Sequence, residues 1–306
     1  MVDVRVRRPV APSDVEDFRR VADDAARAAG HPVVGDAVWL DLANPSADTA
    51  LVVARDHDAT VAAMHVGAAD SVTTPHITLS VAVTPEAALD AVVPPLTAVA
   101  LADRRHRGGG PVELWVLGAD GAWDVRAERL GLHPARELRQ LRVALPVDEP
   151  VRWPDGITVR AFAPGRDEAA WLEVNNQTFA DDPDQGGWTE AALLRREREP
   201  WFDPAGFLLA EDETGLAGFC WTKRHPATAI EPLALGEIYV IGVEPSRQGR
   251  GLGRPLTLAG LADLHDRRRI TVGILFVDAG NDPALRLYES IGFTVARVDR
   301  AYACHL

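Results

Sequence analysis

Apolar residues recur along the chain in short strand-like runs and longer helix-like stretches, and the two patterns alternate in the same order in each half. Leu51-Val-Val-Ala-Arg-Asp56 and Phe207-Leu-Leu-Ala-Glu-Asp212 are apolar runs closed by charge, each followed by a turn and a second run, Val61 to His65 and Leu216 to Trp221. Runs of this length bounded by turn residues predict β-hairpins. Val83-Thr-Pro85 and Val243-Glu-Pro245 close a third apolar strand, and Glu128-Arg-Leu-Gly-Leu132 and Glu289-Ser-Ile-Gly-Phe293 end the last helix of each half. The matched segments lie about 156 to 161 residues apart, a spacing too long for a solenoid repeat and right for a duplicated domain.

Around these anchors each half predicts a first strand (Val4 to Arg8; Thr158 to Phe162), a helix, a less regular segment, the hairpin and the third strand. A second helix (Pro95 to His106; Gly253 to Arg268), another strand (Val112 to Leu117; Ile270 to Val277) and a closing helix follow. Ser13 and Glu16 have the capping-box spacing for the first helix, and Gly30 stops it. Leu145-Pro-Val-Asp-Glu-Pro-Val-Arg-Trp-Pro-Asp-Gly156 interrupts all periodicity and reads as a linker. The expectation is an α/β chain of two tandem domains, residues 1–146 and 155–306, each a mixed central sheet flanked by helices.

Composition narrows the function classes. The 306 residues carry 32 Lys+Arg against 45 Asp+Glu, a net charge of −13, which argues against nucleic acid or an anionic membrane surface as partner, because phosphate binding depends on clustered cations. Cys220 and Cys304 form no C-x-x-C pair, so neither a disulfide framework nor a zinc site is expected, and no other metal. Charges in Met1 to Arg8 do not fit a signal peptide, and the longest apolar run, Ala91 to Ala102, contains Pro94 and Pro95 and is too short to span a bilayer. A cytoplasmic protein follows as the expectation.

In the second half the third strand, Gly236-Glu-Ile-Tyr-Val-Ile-Gly-Val243, leads through Glu244-Pro-Ser-Arg247 into Gln248-Gly-Arg-Gly-Leu-Gly253 and then a helix. Glycines let backbone N–H groups turn toward an anion, and a helix N-terminus adds a favourable dipole, so strand, glycine loop and helix suit a pyrophosphate. Arg247, Arg250 and Arg254 add charge. The spacing fits neither the Rossmann fingerprint nor the Walker loop. The loop alone leaves an ordinary Gly-rich turn open; the downstream Asn281-Asp-Pro-Ala-Leu-Arg-Leu-Tyr288-Glu-Ser-Ile-Gly-Phe293 argues against it.

These two segments resemble the GNAT acyltransferases, whose acyl-CoA loop runs Q/R-x-x-G-x-G/A and whose last motif is N-x-x-A-x-x-x-Y-x-x-x-G-F. The chain therefore reads as two GNAT-like domains. A narrower resemblance, to the mycothiol synthase family of tandem GNAT enzymes, rests on Asp184-Gln-Gly-Gly-Trp-Thr189, Trp201-Phe-Asp-Pro-Ala-Gly206, Gly218-Phe-Cys-Trp-Thr-Lys223 with His225-Pro, and Leu235-Gly-Glu-Ile-Tyr-Val240. It covers most of residues 155–306; over residues 1–150 it rests on the duplication and on Val34-Gly-Asp36. The resemblance implies transfer of acetyl from acetyl-CoA to the cysteinyl amine of cysteinyl-glucosaminyl-inositol. It also places Gln248, Gly249, Arg250, Gly251, Leu252, Gly253, Arg254, Asn281 and Arg286 at the acyl-CoA.

An amine must lose a proton before it attacks a thioester, and Glu237, a carboxylate in an otherwise apolar strand, is the candidate base. Backbone groups of Ile241, Gly242 and Val243 are positioned to meet the pantetheine and polarise the carbonyl. Tyr288 is the candidate acid for the departing thiolate, an assignment that rests on the family pattern. Lys223 and Asp184 are candidate acceptor contacts. Asp36 is the one expected from the first half, and Glu237 also faces the acceptor. Trp188, Trp201 and Trp221 are assigned to pocket or core, and His225 and His305 to the surface.

The first half has no equivalent machinery. Ala88-Leu-Asp-Ala-Val-Val93 replaces the glycine loop, and Ile77, to within a residue, and Ala127 stand opposite Glu237 and Tyr288; it reads as scaffold or substrate wall. The second half departs from the narrower pattern at Phe276-Val-Asp-Ala-Gly-Asn281, where the family usually has Tyr-Val-Glu-Ser-Asp-Asn. A GNAT acting on another amine (amino sugar, antibiotic or amino-acid conjugate) and a non-catalytic acyl-CoA sensor remain alternatives. The tandem pair is expected to be a monomer.

Overall fold

The computed structural model describes residues 2–68, 77–85, 87–182 and 185–306. The first half runs β1 (Asp3–Arg7), α1 (Pro12–Ala29), α2 (Asp36–Ala43), β2 (Ala50–Asp56), β3 (Ala59–Ala68), β4 (Ile77–Val83), α3 (Leu89–His106), β5 (Pro111–Val116), α4 (Gly121–Arg129) and β6 (His133–Ala144). The second repeats that order with β7 (Thr158–Ala161), α5 (Glu168–Thr178), α6 (Glu190–Glu197), β8 (Phe207–Asp212), β9 (Gly215–His225), β10 (Leu235–Val243), α7 (Gly253–Ala262), β11 (Val272–Asp278), α8 (Asp282–Ile291) and β12 (Thr294–His305). The α/β class and the duplication are as expected.

Two helix starts differ from the pattern reading. At α1 it is Asp14, not Glu16, whose carboxylate accepts from the N-terminal backbone, at Ala11 N–H, 3.0 Å away. The C-terminal stop at Gly30 holds: its φ is 73° and its N–H reaches the Ala26 carbonyl at 2.9 Å. Helix α3 begins at Leu89, ahead of Pro94 and Pro95. A proline removes the bond to the carbonyl four residues earlier, and here those carbonyls belong to Asp90 and Ala91, which are exposed to water.

All twelve strands form one sheet, in the order β1-β2-β3-β4-β5-β12-β6-β11-β10-β9-β8-β7. The halves exchange their last strands. β6 pairs with β11, Leu141 opposite Leu275, and β12 pairs with β5, Tyr302 opposite Leu114. Leu141 and Val143 therefore pack in the second half's core and Tyr302, fully buried, in the first's. These terminal strands are absent from the pattern reading because their alternating residues include many charges, as in Arg136-Glu-Leu-Arg-Gln-Leu-Arg142.

Each half buries apolar residues on both faces of its part of the sheet. One face carries aliphatic clusters together with α3 and α4 or with α7 and α8. On the other, α1 and α2 cover a mostly aliphatic layer, whereas α5 and α6 cover an aromatic one, Trp171, Phe207, Phe219 and Trp221 among its members. In each half one adjacent pair, β4·β5 or β10·β11, is parallel and paired only near its start. Beyond Ile238 and Leu275 the strands of the second pair separate. Among the described residues no helix is long and apolar enough to cross a membrane.

Candidate active site

The gap opens beside β10. Glu237 lies directly across from Lys223 on β9, and the register then slips between Ile238 and Val240. The extra residue, Tyr239, is a β-bulge, the device by which a strand bends and re-aims its side chains. Tyr239 and Val240 consequently both pack toward the aromatic layer. Ile241 and Val243 turn to the opposite cluster, and Gly242 faces Phe219 and Thr178, where a Cβ would stand 2.8 Å from the Phe219 ring. Residues 240–243 pair with β9 on one side and with no described residue of β11 on the other, so their outer backbone edge is open to a ligand entering the gap.

Four side chains converge at the start of β10. Glu237 is 6% exposed, and its Oε2 lies 2.5 Å from His225 Nε2. Lys223, the only lysine in the chain, is 5% exposed and donates to Asp36 at the N-terminus of α2, a contact from the second half to the first. Its Nζ also stands 4.5 Å from the Trp201 ring centre and 5.2 Å from that of Tyr239. One side-chain atom from each of Asp36, His225 and Glu237 lies within 4.8 Å of the other two, and the Lys223 ammonium acts on both carboxylates. Burial opposes that charge, but Asp36 and then Glu237 outweigh it and hold Lys223 above the ordinary lysine value. Burial likewise works against the Asp36 carboxylate, and Lys223 with His225 overcomes it, holding the carboxyl below its usual range. Asp36, Trp39, Trp201, Lys223 and His225 line a cleft of about 270 Å³ between the halves. Asp184 lies outside the described residues.

After β10 the chain makes a 3₁₀ turn, Pro245–Arg247, and enters the glycine loop. Gly249 and Gly251 have φ of 76° and 80°, with open space where a Cβ would point, a backbone fitted to close approach by an anion. Gln248 donates to the Val243 carbonyl at 3.3 Å and ties the loop to the strand end. Leu252 is buried core, and Gly253 begins α7. The three arginines differ. Arg247 is held by Asp212 and Glu244, and Arg254 by both oxygens of Glu149 at 2.6 Å and by Ser290. Arg250 is exposed and makes no ion pair among the described residues, which leaves it available to a phosphate.

On α8, Asn281 caps the helix by accepting from Ala284 N–H at 3.2 Å, and Arg286 is exposed beside Asp282. Tyr288 is buried with Phe293, Leu256 and Cys220. Burial first, and the nearby Cys220 thiol second, push its phenol well above the ordinary tyrosine value, so it keeps its proton. Glu237 and Tyr288 lie on opposite faces of the sheet, one with Lys223 and the other with Ile238, and the gap between β10 and β11 joins the two faces. Phe276, 38% exposed, lies on β11 with the Arg297 guanidinium 5.8 Å from its ring centre.

The acetyltransferase (GNAT) family profile matches residues 170–293. A mycothiol acetyltransferase of Acidimicrobium ferrooxidans is 43% identical over 285 residues, covering 90% of this chain and 89% of that protein. The chain belongs to the mycothiol acetyltransferase family. A second member, from Thermomonospora curvata, is 51% identical over 201 residues, and the match spans 65% of each chain, a little under two thirds of that relative's length. A tandem GNAT protein from the clavulanic acid biosynthesis pathway superposes with a TM-score of 0.72 over 99% of this chain and 98% of its own at 17% identity, which shows a shared fold.

Two site residues escaped the sequence reading. His225, whose place before a proline suggests the surface, instead touches Glu237. Lys223 and His225 are two apart on a strand and so share a face, which is the signal that could have placed it. Tyr239, whose hydroxyl accepts from Arg196 Nε at 3.0 Å, depends on a bulge that the apolar run Ile238-Tyr-Val-Ile241 does not announce.

Proposed function

We propose that this chain is an N-acetyltransferase that moves acetyl from acetyl-CoA to the cysteinyl amine of cysteinyl-glucosaminyl-inositol, forming mycothiol. The observation that carries the reading is the meeting of Lys223 with Asp36 at the wall of a cleft between the halves, with Glu237 directly across from Lys223 on β10, the strand that leads through one 3₁₀ turn into the glycine loop. Residues 155–306 hold the acyl-CoA, and residues 1–146 supply Asp36 and the far wall. The pyrophosphate fits Gln248 to Gly253 with Arg250 beside it, and the pantetheine fits the free edge of Ile241, Gly242 and Val243.

In the reaction Asp36 holds the acceptor's ammonium or sugar hydroxyls and Glu237 removes the amine proton. The amine attacks the thioester carbon, while the backbone N–H of the Ile241-Gly242 pair that points away from β9 takes the charge developing on oxygen. Tyr288, kept protonated by its apolar setting, donates to the departing thiolate. Lys223 fits an acceptor hydroxyl. The exchanged strands give each half within one chain the contact that a second subunit could otherwise supply, so the enzyme acts as a monomer. Following CoA thiol release with cysteinyl-glucosaminyl-inositol beside a panel of aminoglycosides and amino sugars tests the reading. Turnover confined to the first acceptor supports it, and a preference for any other amine refutes it.

A further inference from the structure

Acetyl transfer to an ammonium group releases one proton per turnover. The ammonium has two protons to lose before it is a neutral amide nitrogen, one of them ends on the CoA thiolate, and the other stays on the base until it is passed to water. The inference below rests on Glu237 being that base. With 6% of its surface exposed, Glu237 needs a neighbour that can take the proton onward.

The described neighbours differ in that capacity. Lys223, across the strand pair, is an ammonium and has no acceptor site. Tyr239 is half-buried, desolvation pushes its phenol up, and its oxygen already accepts from Arg196. Lys223 holds the Asp36 carboxyl below its usual range, which makes it a poor proton acceptor. His225 has a ring nitrogen 2.5 Å from Glu237 Oε2, lines the cleft, and leaves 28% of its side chain open to water. Its position follows from the register: Leu235 faces His225 and Glu237 faces Lys223, so His225 and Glu237 are diagonal neighbours on one face of the β9–β10 pair. Imidazole is also the side chain that exchanges a proton most readily between pH 5 and 8.

We propose that His225 is a proton relay: it takes the amine's proton from Glu237 Oε2 at Nε2, releases a proton from Nδ1 to the water of the cleft, and regains its starting tautomer by proton exchange with that water, so that Glu237 is a carboxylate and Nε2 an acceptor again at the start of the next turnover. No bond to carbon changes in this step and no co-reactant beyond water is needed. His225 acts through Glu237 and is thus a positioning and relay residue. The charged groups around it are Glu237 on β10, Lys223 and Arg224 on β9, Asp36 on α2, and Glu199 across the cleft.

The test compares wild type with His225→Gln, which can still donate to Glu237 but cannot pass a proton through. The relay predicts that kcat falls at least about tenfold, within the range of general acid–base effects, with acetyl-CoA affinity unchanged, and that added imidazole restores much of the rate. Full activity in the variant, or a loss that imidazole does not restore, overturns it. A second measurement needs no acceptor: the pH titration of the His225 ring nitrogens by NMR, in the wild-type chain and in Glu237→Gln. The relay requires the His225 titration to move when Glu237 is neutralised; a histidine that titrates identically in both overturns it. Wild-type enzyme inactive toward the proposed acceptor would refute the function and leave this titration to decide the relay separately.

Discussion

Strands β4 and β10 occupy equivalent places in the two halves, and a single residue separates their pairing. β4 keeps unbroken register with β3 from Ile77–Ala68 to Val83–Ala62, whereas β10 holds register with β9 only by admitting Tyr239 as a bulge. Equating the two pairs sets Gly67 and Thr78 where the second half has Lys223 and Glu237, and Thr78 merely donates to the Gly67 carbonyl at 3.2 Å. The connections to the next helix differ as well, residues 84–88 against 244–252, and only the longer one holds the glycine loop. Both halves retain the divergent parallel pair. A gap in the sheet is therefore a property of the fold, and the proposed chemistry draws on the bulge, two side chains and one loop that only the second half adds to it.

The largest effect that tests this contrast is on turnover. Glu237→Gln should lower kcat by about 10²- to 10⁴-fold with acetyl-CoA affinity retained, while Thr78→Val in the other half should leave steady-state kinetics unchanged. A comparable loss from Thr78→Val would mean that the first half takes part in the chemistry.

The next largest effect crosses between the halves. Asp36→Asn should raise the acceptor's KM by about tenfold to a hundredfold, the cost of on the order of 1.5 to 3 kcal/mol for a charge-assisted hydrogen bond, and leave acetyl-CoA affinity alone. Lys223 is buried, and removing its counter-charge should also lower the unfolding temperature. If melting shifts while the acceptor kinetics do not, Asp36 holds Lys223 in place and does not meet the substrate.

A smaller effect concerns the loop that the first half lacks. Gly251 has φ of 80°, a conformation costing an L-residue roughly 1–2 kcal/mol, so Gly251→Val should weaken acetyl-CoA binding by about 5- to 30-fold in calorimetry without changing the acceptor's KM. The stoichiometry should be one acetyl-CoA per chain in the wild type, and a value near two would show that the gap between β4 and β5 binds without a glycine loop.

Much of this was legible in the sequence because its signals are local. Hairpin runs, the glycine loop and the helix stop at Gly30 each depend on a few adjacent residues, and the duplication makes each strand visible twice. The exchange of β6 and β12 was not legible, since which sheet a strand joins is decided by contacts between distant parts of the chain, and Arg136 to Arg142 carries charges on a strand that crosses the junction of the halves. The small helix α2 lies within a segment whose pattern reads as irregular, its eight residues too few to show a helical period. His225 was misplaced because a histidine before a proline reads as a loop end, while its value comes from facing Glu237 across the strand pair.

The smallest effect separates the layers that face the cleft. In the first half a carboxylate on α2 itself, Asp41, accepts from Thr49 at 2.9 Å and lies 2.8 Å from His65 Nε2. In the second half Glu197, at the end of α6, has one carboxylate oxygen buried with no partner. Burial, followed by the charge of Glu168 and against the pull of Arg198, pushes its carboxyl up to about 7 from the usual 4.5. The folded chain therefore binds this proton more tightly than the unfolded chain. Below pH 4.5 both states are protonated and the site costs nothing; between 4.5 and 7 the unfolded state ionises first and stability falls as pH rises; above 7 the full cost is present. Because Glu197 is partly open to solvent, that cost is discounted to on the order of 1 kcal/mol. Glu197→Gln should then raise the melting temperature by about 2 °C at pH 8 and leave it unchanged at pH 4, whereas Asp41→Asn, which weakens a satisfied network, should lower it at pH 8. An equal shift from Glu197→Gln at both pH values would show that its effect comes from packing, and the contrast between a satisfied carboxylate in the first half and an unpartnered one in the second would then lose its electrostatic basis.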